Sequence, residues 1–76
     1  MKLVPTSPTY WLSPVGNCDL CHQHFNGKMY DAKVGGPWGN ICHKCFQSNG
    51  CRLGIGQGQR YELQSNNRWL CTGGQS

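Results

Sequence analysis

Residues 17–45 read NCDLCHQHFNGKMYDAKVGGPWGNICHKC, and this stretch decides the fold. It holds two cysteine pairs, Cys18-x2-Cys21 and Cys42-x2-Cys45, with 20 residues between them (x20). Two residues between cysteines fit a tight turn that aims both sulfurs at one point. Two such pairs at this separation read as a metal site. Zinc accepts four thiolates in a tetrahedron and has no redox chemistry of its own. Cys18, Cys21, Cys42 and Cys45 are therefore the expected ligands of one structural Zn2+. Four protein ligands leave no open position for water, so no catalytic metal is expected. Iron on four thiolates, as in rubredoxin, uses similar knuckles, although the Pro-Gly knuckle residues usual there are absent.

The segment between the pairs has the pattern of a hairpin. Asn26-Gly27 is a turn signal, because both residues tolerate positive φ. Along 28–34, Tyr30, Ala32 and Val34 alternate with Met29, Asp31 and Lys33, which predicts a strand. Gly35-Gly36-Pro37 reads as a turn, and Trp38 to Ile41 as a returning strand. A short helix is expected from about Cys42 to about Ser48, ending at Asn49-Gly50. It is too short to stand without an anchor.

Outside this core the sequence is less regular. Pro5, Pro8 and Pro14 exclude a helix from 1–16, which reads as an arm with Tyr10, Trp11 and Leu12 as an apolar cluster that docks on the domain. Gly54, Gly56 and Gly58 alternate with Leu53, Ile55 and Gln57. The expectation is a loop packed on the metal module. The alternative is an extended segment with one bare face that admits another backbone, a ring or a ligand. The zinc-binding domain is placed at 17–63, and 64–76 reads as a polar tail with a mobile end. Cys51 and Cys71 read as thiols outside the site, and His22, His24 and His43 as exposed residues beside it.

Composition is consistent with a metal-stapled domain. At 76 residues the chain is too short to bury a large core, and small scaffolds add a metal, disulfides or a partner. Only 13% of residues are charged, which argues against a disordered polyelectrolyte. The N-terminus lacks a continuous apolar block, so no secretory signal is read and a reducing, cytoplasmic setting is expected. No apolar run is long enough for a transmembrane helix, and no membrane partner is expected. The formal charge is +4. Four thiolates and one Zn2+ would bring the holo form to about +2. Lys28, Lys33, Lys44, Arg52 and Arg60, with Trp38 and Tyr61 as stacking rings, are the candidate surface for nucleic acid. A protein partner, with the chain as adaptor or inhibitor of a host enzyme, is the alternative. No small-molecule substrate and no catalysis are expected.

A CxxC knuckle, a hairpin and a second CxxC opening a helix resemble a treble-clef zinc finger. CHKCFQSNG at 42–50 is similar to the helix start of GATA-type fingers, which also carry a Trp in the hairpin, here Trp38. The basic tail of those fingers is missing, which argues against DNA recognition in their manner. The chain resembles more closely a group of small bacteriophage and bacterial proteins that share a CxxC…GPW…CxxCF…GxGxGQxY pattern. The match runs through Cys18, Cys21, Tyr30, Asp31, Lys33, Gly36, Pro37, Trp38, Cys42, Cys45 and Phe46. It continues through Leu53, Gly54, Gly56, Gly58, Gln59, Tyr61 and Glu62, with Cys51-Arg52 interrupting it. The resemblance covers about residues 18–62 and implies a treble-clef-like, metal-stabilised α+β fold and a phage origin. It implies no activity.

Overall fold

The computed structural model describes residues 9–74. Four strands and one helix follow in order: β1 (Lys28–Lys33), β2 (Trp38–Ile41), α1 (His43–Ser48), β3 (Gly58–Leu63) and β4 (Trp69–Gly73). The strands form one antiparallel sheet in the order β2-β1-β3-β4. The fold is therefore small α+β, as the sequence suggests, but the sheet has twice the expected number of strands.

The hairpin β1–β2 is the one read from the sequence. The Val34 N–H donates to the Pro37 carbonyl across the turn, at 2.8 Å. Gly35 and Gly36 both take positive φ, which closes the turn without a Cβ penalty. Tyr30 pairs with Ile41 and Ala32 with Gly39. Directly opposed residues share a face, so Tyr30, Ala32 and Ile41 line one side. There they are buried with Cys18, and Val34, Phe46 and Cys51 pack against them.

α1 has Cys42 as its extended N-cap residue, and it ends in a paired-bond cap. The Gly50 N–H donates to Gln47 O and the Cys51 N–H to Phe46 O, both at 3.1 Å, with Gly50 at φ 64. This is the Schellman arrangement, which satisfies carbonyls a helix end would leave bare. Phe46 stacks on Tyr30 with ring centroids 4.0 Å apart, which fixes the helix on the sheet.

Two expectations need correction. The run from Gly54 is neither an extended bare face nor a loop throughout. The Gly54 N–H donates to Gly58 O and the Gly58 N–H returns to Gly54 O, so the chain reverses over three residues and enters β3. Gly56 supplies the positive φ of that turn. Gly58 is the glycine that packing requires. A Cβ there would lie 2.8 Å from the Arg52 carbonyl oxygen and 3.0 Å from the Ala32 Cβ. Gly58→Ala should therefore cost about 1–3 kcal/mol in a chemical denaturation curve. An unchanged midpoint would show that this close approach is not required.

The flexible tail expected over 64–76 is also corrected within the described residues. The chain turns at 64–68, with Asn67 in the left-handed region, and returns as β4. Burial is the physical reason. Met29, Tyr61 and Cys71 form a second cluster on the opposite side of the sheet, and Trp11, Val15, Phe25 and Trp69 pack against it. The arm is likewise tied down over its described part. The Cys71 N–H donates to Thr9 O and the Trp11 N–H to Trp69 O, so 9–11 runs along the outer edge of β4. Trp11 meets Tyr61 edge to face at 5.4 Å, whereas Leu12 remains 87% exposed. Residues 1–8 and 75–76, which belong to the expected arm and mobile end, lie outside the described residues. No helix among the described residues is long and apolar enough to cross a membrane.

Candidate metal centre

The hairpin and helix bring the two cysteine pairs together. The sulfurs of Cys18, Cys21, Cys42 and Cys45 all lie within 4.8 Å of one another. Cys21 Sγ and Cys42 Sγ are 3.7 Å apart. An ion bonded to four sulfurs at about 2.3 Å in a tetrahedron sets them about 3.8 Å apart. The four thiols therefore fit a single metal ion. The group is Cys-only, and His22, His24 and His43 are not part of it.

The first pair sits on a turn in which the His22 N–H donates to Cys18 O at 2.9 Å. His22 takes φ 64 just after Cys21. Histidine is among the few non-glycine residues that enter this region readily. The Asp19 carboxylate accepts from the Asn40 N–H at 2.8 Å, and the Asp19 N–H donates to Asn40 O at the same distance. This two-way clamp pins the knuckle to the outer edge of β2 and covers that edge. Asp19 thus positions the site without being a ligand. Nothing in the cysteine spacing signals that role.

The thiols are not equivalent. Cys18 is buried, while Cys21, Cys42 and Cys45 are half-buried. Burial opposes the Cys18 thiolate, but backbone N–H groups of Cys21, Cys42 and Leu20 outweigh it and bring its pKa down to about 6. The Cys42 N–H lies 3.3 Å from its sulfur and the Cys21 N–H 3.5 Å. Such donors orient a ligand sulfur and stabilise its charge. Loss of solvent and hydrogen bonds from the neighbouring thiols push Cys45 up to about 12. At Cys21 the backbone of Gln23 pulls downward, but burial and the thiols of Cys18 and Cys42 prevail and raise it.

These shifts give a pH prediction. Without the ion, Cys21 and Cys45 hold their protons at pH 7 whether the chain is folded, where both thiols are raised, or unfolded, where a free thiol is mostly protonated. An incoming ion must displace those protons, so at least two leave per ion bound. Apparent metal affinity should rise at least about a hundredfold per pH unit near neutrality and fall on acidification. Competition titration with a chromophoric chelator at several pH values measures the slope. A flat profile would contradict the assignment.

A concavity of about 800 Å³ lies beside the centre, and Cys21, Cys42 and Cys45 line it. Lys28, Lys44, His24 and His43 share its walls. The Tyr30 hydroxyl and His43 Nδ1 are hydrogen-bonded at 2.8 Å, so His43 serves the core contact of α1.

The other expected surface residues are scattered. Lys33 and Trp38 are directly opposed across β1 and β2, and Trp38 is 46% exposed. Arg52 is exposed between α1 and β3. Two expected contacts are corrected. Tyr61 is only 8% exposed beneath Trp11, so it has no ring face to offer a partner. Arg60 donates through Nε to Thr72 Oγ1 at 3.0 Å and through Nη2 to Thr72 O at 2.8 Å. It also pairs with Glu62 at 3.4 Å, while Thr72 donates to the same Glu62 oxygen at 2.6 Å. Its guanidinium is committed to the bulge between β3 and β4. Cys51 joins the first cluster and Cys71 the second, and none of the six cysteines is in a disulfide.

Comparison of the chain with family models, with curated proteins and with solved structures gave no match.

Proposed function

We propose that this chain is a non-enzymatic module, stabilised by one structural zinc ion, that binds nucleic acid through exposed cations. Zinc is favoured because all four donors are thiols, within 4.8 Å of one another and with one pair 3.7 Å apart. A set of four protein ligands is saturated, which argues for a structural ion. The order of knuckle, hairpin and helix carrying the two pairs supports a treble-clef-like reading. The resemblance of residues 18–62 to phage and bacterial fingers supports a phage origin and action in the host cytoplasm.

One observation carries the binding reading. Among the described residues the only ion pair is Arg60–Glu62. Lys28, Lys33, Lys44 and Arg52 have no carboxylate partner among the described residues. Folding therefore leaves a positive excess, of which Lys28 and Lys44 border the cysteine cluster and Lys33 and Arg52 do not. Binding to a labelled oligonucleotide should weaken as salt rises, with a slope on logarithmic axes of about −2.8 if all four cations meet phosphates of a single strand and about −1.4 if only Lys33 and Arg52 do. Absence of binding at low salt would overturn the reading. A protein partner is the second reading, favoured by Ile55, which stands 73% exposed at the tip of the turn before β3. Affinity capture from host lysate tests it.

A further inference from the structure

The nucleic-acid reading leaves open which surface acts, and the concavity beside the metal is the obvious candidate. It holds Lys28 and Lys44. The charge of the centre argues against it. Four thiolates and a divalent ion sum to −2, and that charge lines the same concavity. The two lysines offset it, leaving little net attraction for phosphate. No Trp, Tyr or Phe lines the concavity either.

The opposite side of the sheet differs. Alternation and register place two successive cross-strand rows there. One is Trp38–Lys33, and the next is Asn40–Asp31–Gln59 across β2, β1 and β3. The row after that, Met29–Tyr61, is the covered cluster beneath Trp11. The first two rows are open: Trp38 is 46% exposed, Lys33 is exposed, and Asn40, Asp31 and Gln59 are half-buried. The arm and the metal module thus leave a half-face with one aromatic ring, one cation, one carboxylate and two amides, distinguished from the concavity by its exposed ring and not by its net charge.

The geometry points to this half-face as a binding platform for an unpaired base of a single-stranded nucleic acid, with Trp38 as the stacking ring. The inference rests on the nucleic-acid reading above and narrows it. A base stacks on an exposed ring whatever its sequence. Lys33, opposite that ring, is placed to meet the adjoining phosphate. The amides of Asn40 and Gln59 and the carboxylate of Asp31 offer the donors and acceptors that base edges use. A protein partner fits less well, because interface cores need several apolar contacts and these rows supply only Trp38. A duplex keeps its base faces stacked within itself, so it cannot use the ring.

The test uses the zinc-loaded full chain and a labelled single strand of about 12 nucleotides, as DNA and as RNA, at about 50 mM salt. Trp38→Ala should weaken binding about tenfold or more, and Trp38→Phe should recover most of the loss. Tryptophan emission should be quenched on binding by the native chain but not by Trp38→Phe. The duplex of the same sequence should bind more weakly than the strand. Lys28→Gln with Lys44→Gln should cost about twofold at most. Trp38 is half-exposed on an edge strand, and unchanged metal content and circular dichroism verify that its variants fold. If Trp38→Ala binds normally, if the duplex binds as tightly, or if the Lys28 and Lys44 pair carries the affinity, the platform is wrong and the nucleic-acid reading stands. If no oligonucleotide binds, both are wrong.

Discussion

Cys45→Ala should abolish metal binding and leave the chain without stable tertiary structure. Among the described residues the fully packed side chains are few: Met29, Ile41 and Cys18 are the largest with almost no exposure. One of these three, Cys18, belongs to the cysteine cluster that can hold the ion. α1 has six residues and none of them is buried. A helix of that length is unstable alone. Its attachments are the Phe46–Tyr30 stack, the His43–Tyr30 hydrogen bond and the two clustered cysteines it carries, Cys42 at its N-cap and Cys45 within its first turn. Structural zinc sites contribute roughly 10–16 kcal/mol of apparent binding free energy. Whole domains are stable by only about 5–15 kcal/mol. Losing one of four thiolates should therefore remove most of what holds the fold. Near-ultraviolet circular dichroism, which reads the packing of the tryptophans, should collapse. A cooperative thermal transition and a retained ion in Cys45→Ala would refute this.

Deletion of residues 64–76 should have a comparably large effect. The deletion removes β4, which pairs with β3 from Leu63 to Arg60. It takes Cys71 and Trp69 out of the second cluster and leaves Met29 and Tyr61 open on that side. It also removes the backbone partners of Thr9 and Trp11, so the arm loses its dock. Truncating one large buried aromatic already costs about 3–5 kcal/mol, and this deletion removes more than one side chain. The shortened chain should unfold at much lower denaturant, or expose β3 as an unpaired edge and aggregate. An unchanged denaturation midpoint would mean that 64–76 is a dispensable tail and that β4 contributes nothing.

That second case shows where the sequence could be read and where it could not. The cysteine pairs, the turns at Gly27 and Gly35-Gly36, the alternation through Tyr30, Ala32 and Val34, and the Asn49-Gly50 helix end are local signals. The structure uses each of them locally. β3 and β4 depend on pairing between distant residues. Tyr61 and Leu63 flank the polar Glu62, whereas Trp69, Leu70 and Cys71 run together without alternation, and Ser65-Asn66-Asn67 between the two runs is a fair turn signal. Each run is short, however, and the glycines before it hide the start of β3. Tyr61 illustrates the limit at the level of one side chain. A tyrosine suits a stacking surface and a small core equally, and only the arrival of Trp11 over its ring decides. Arg60 is similar, because its partners Thr72 and Glu62 come together only through the β3–β4 bulge. The four-cysteine cluster is legible because four residues of one type at fixed spacing leave few alternatives.

The claim that a single ion on Cys18, Cys21, Cys42 and Cys45 organises the fold has a direct measurement. The purified native chain should contain one zinc per chain by elemental analysis. Stepwise addition of a strong chelator should remove the ion and the near-ultraviolet dichroism together, and added zinc should restore both. A purified chain that carries no metal and still shows a cooperative folded state would contradict the account.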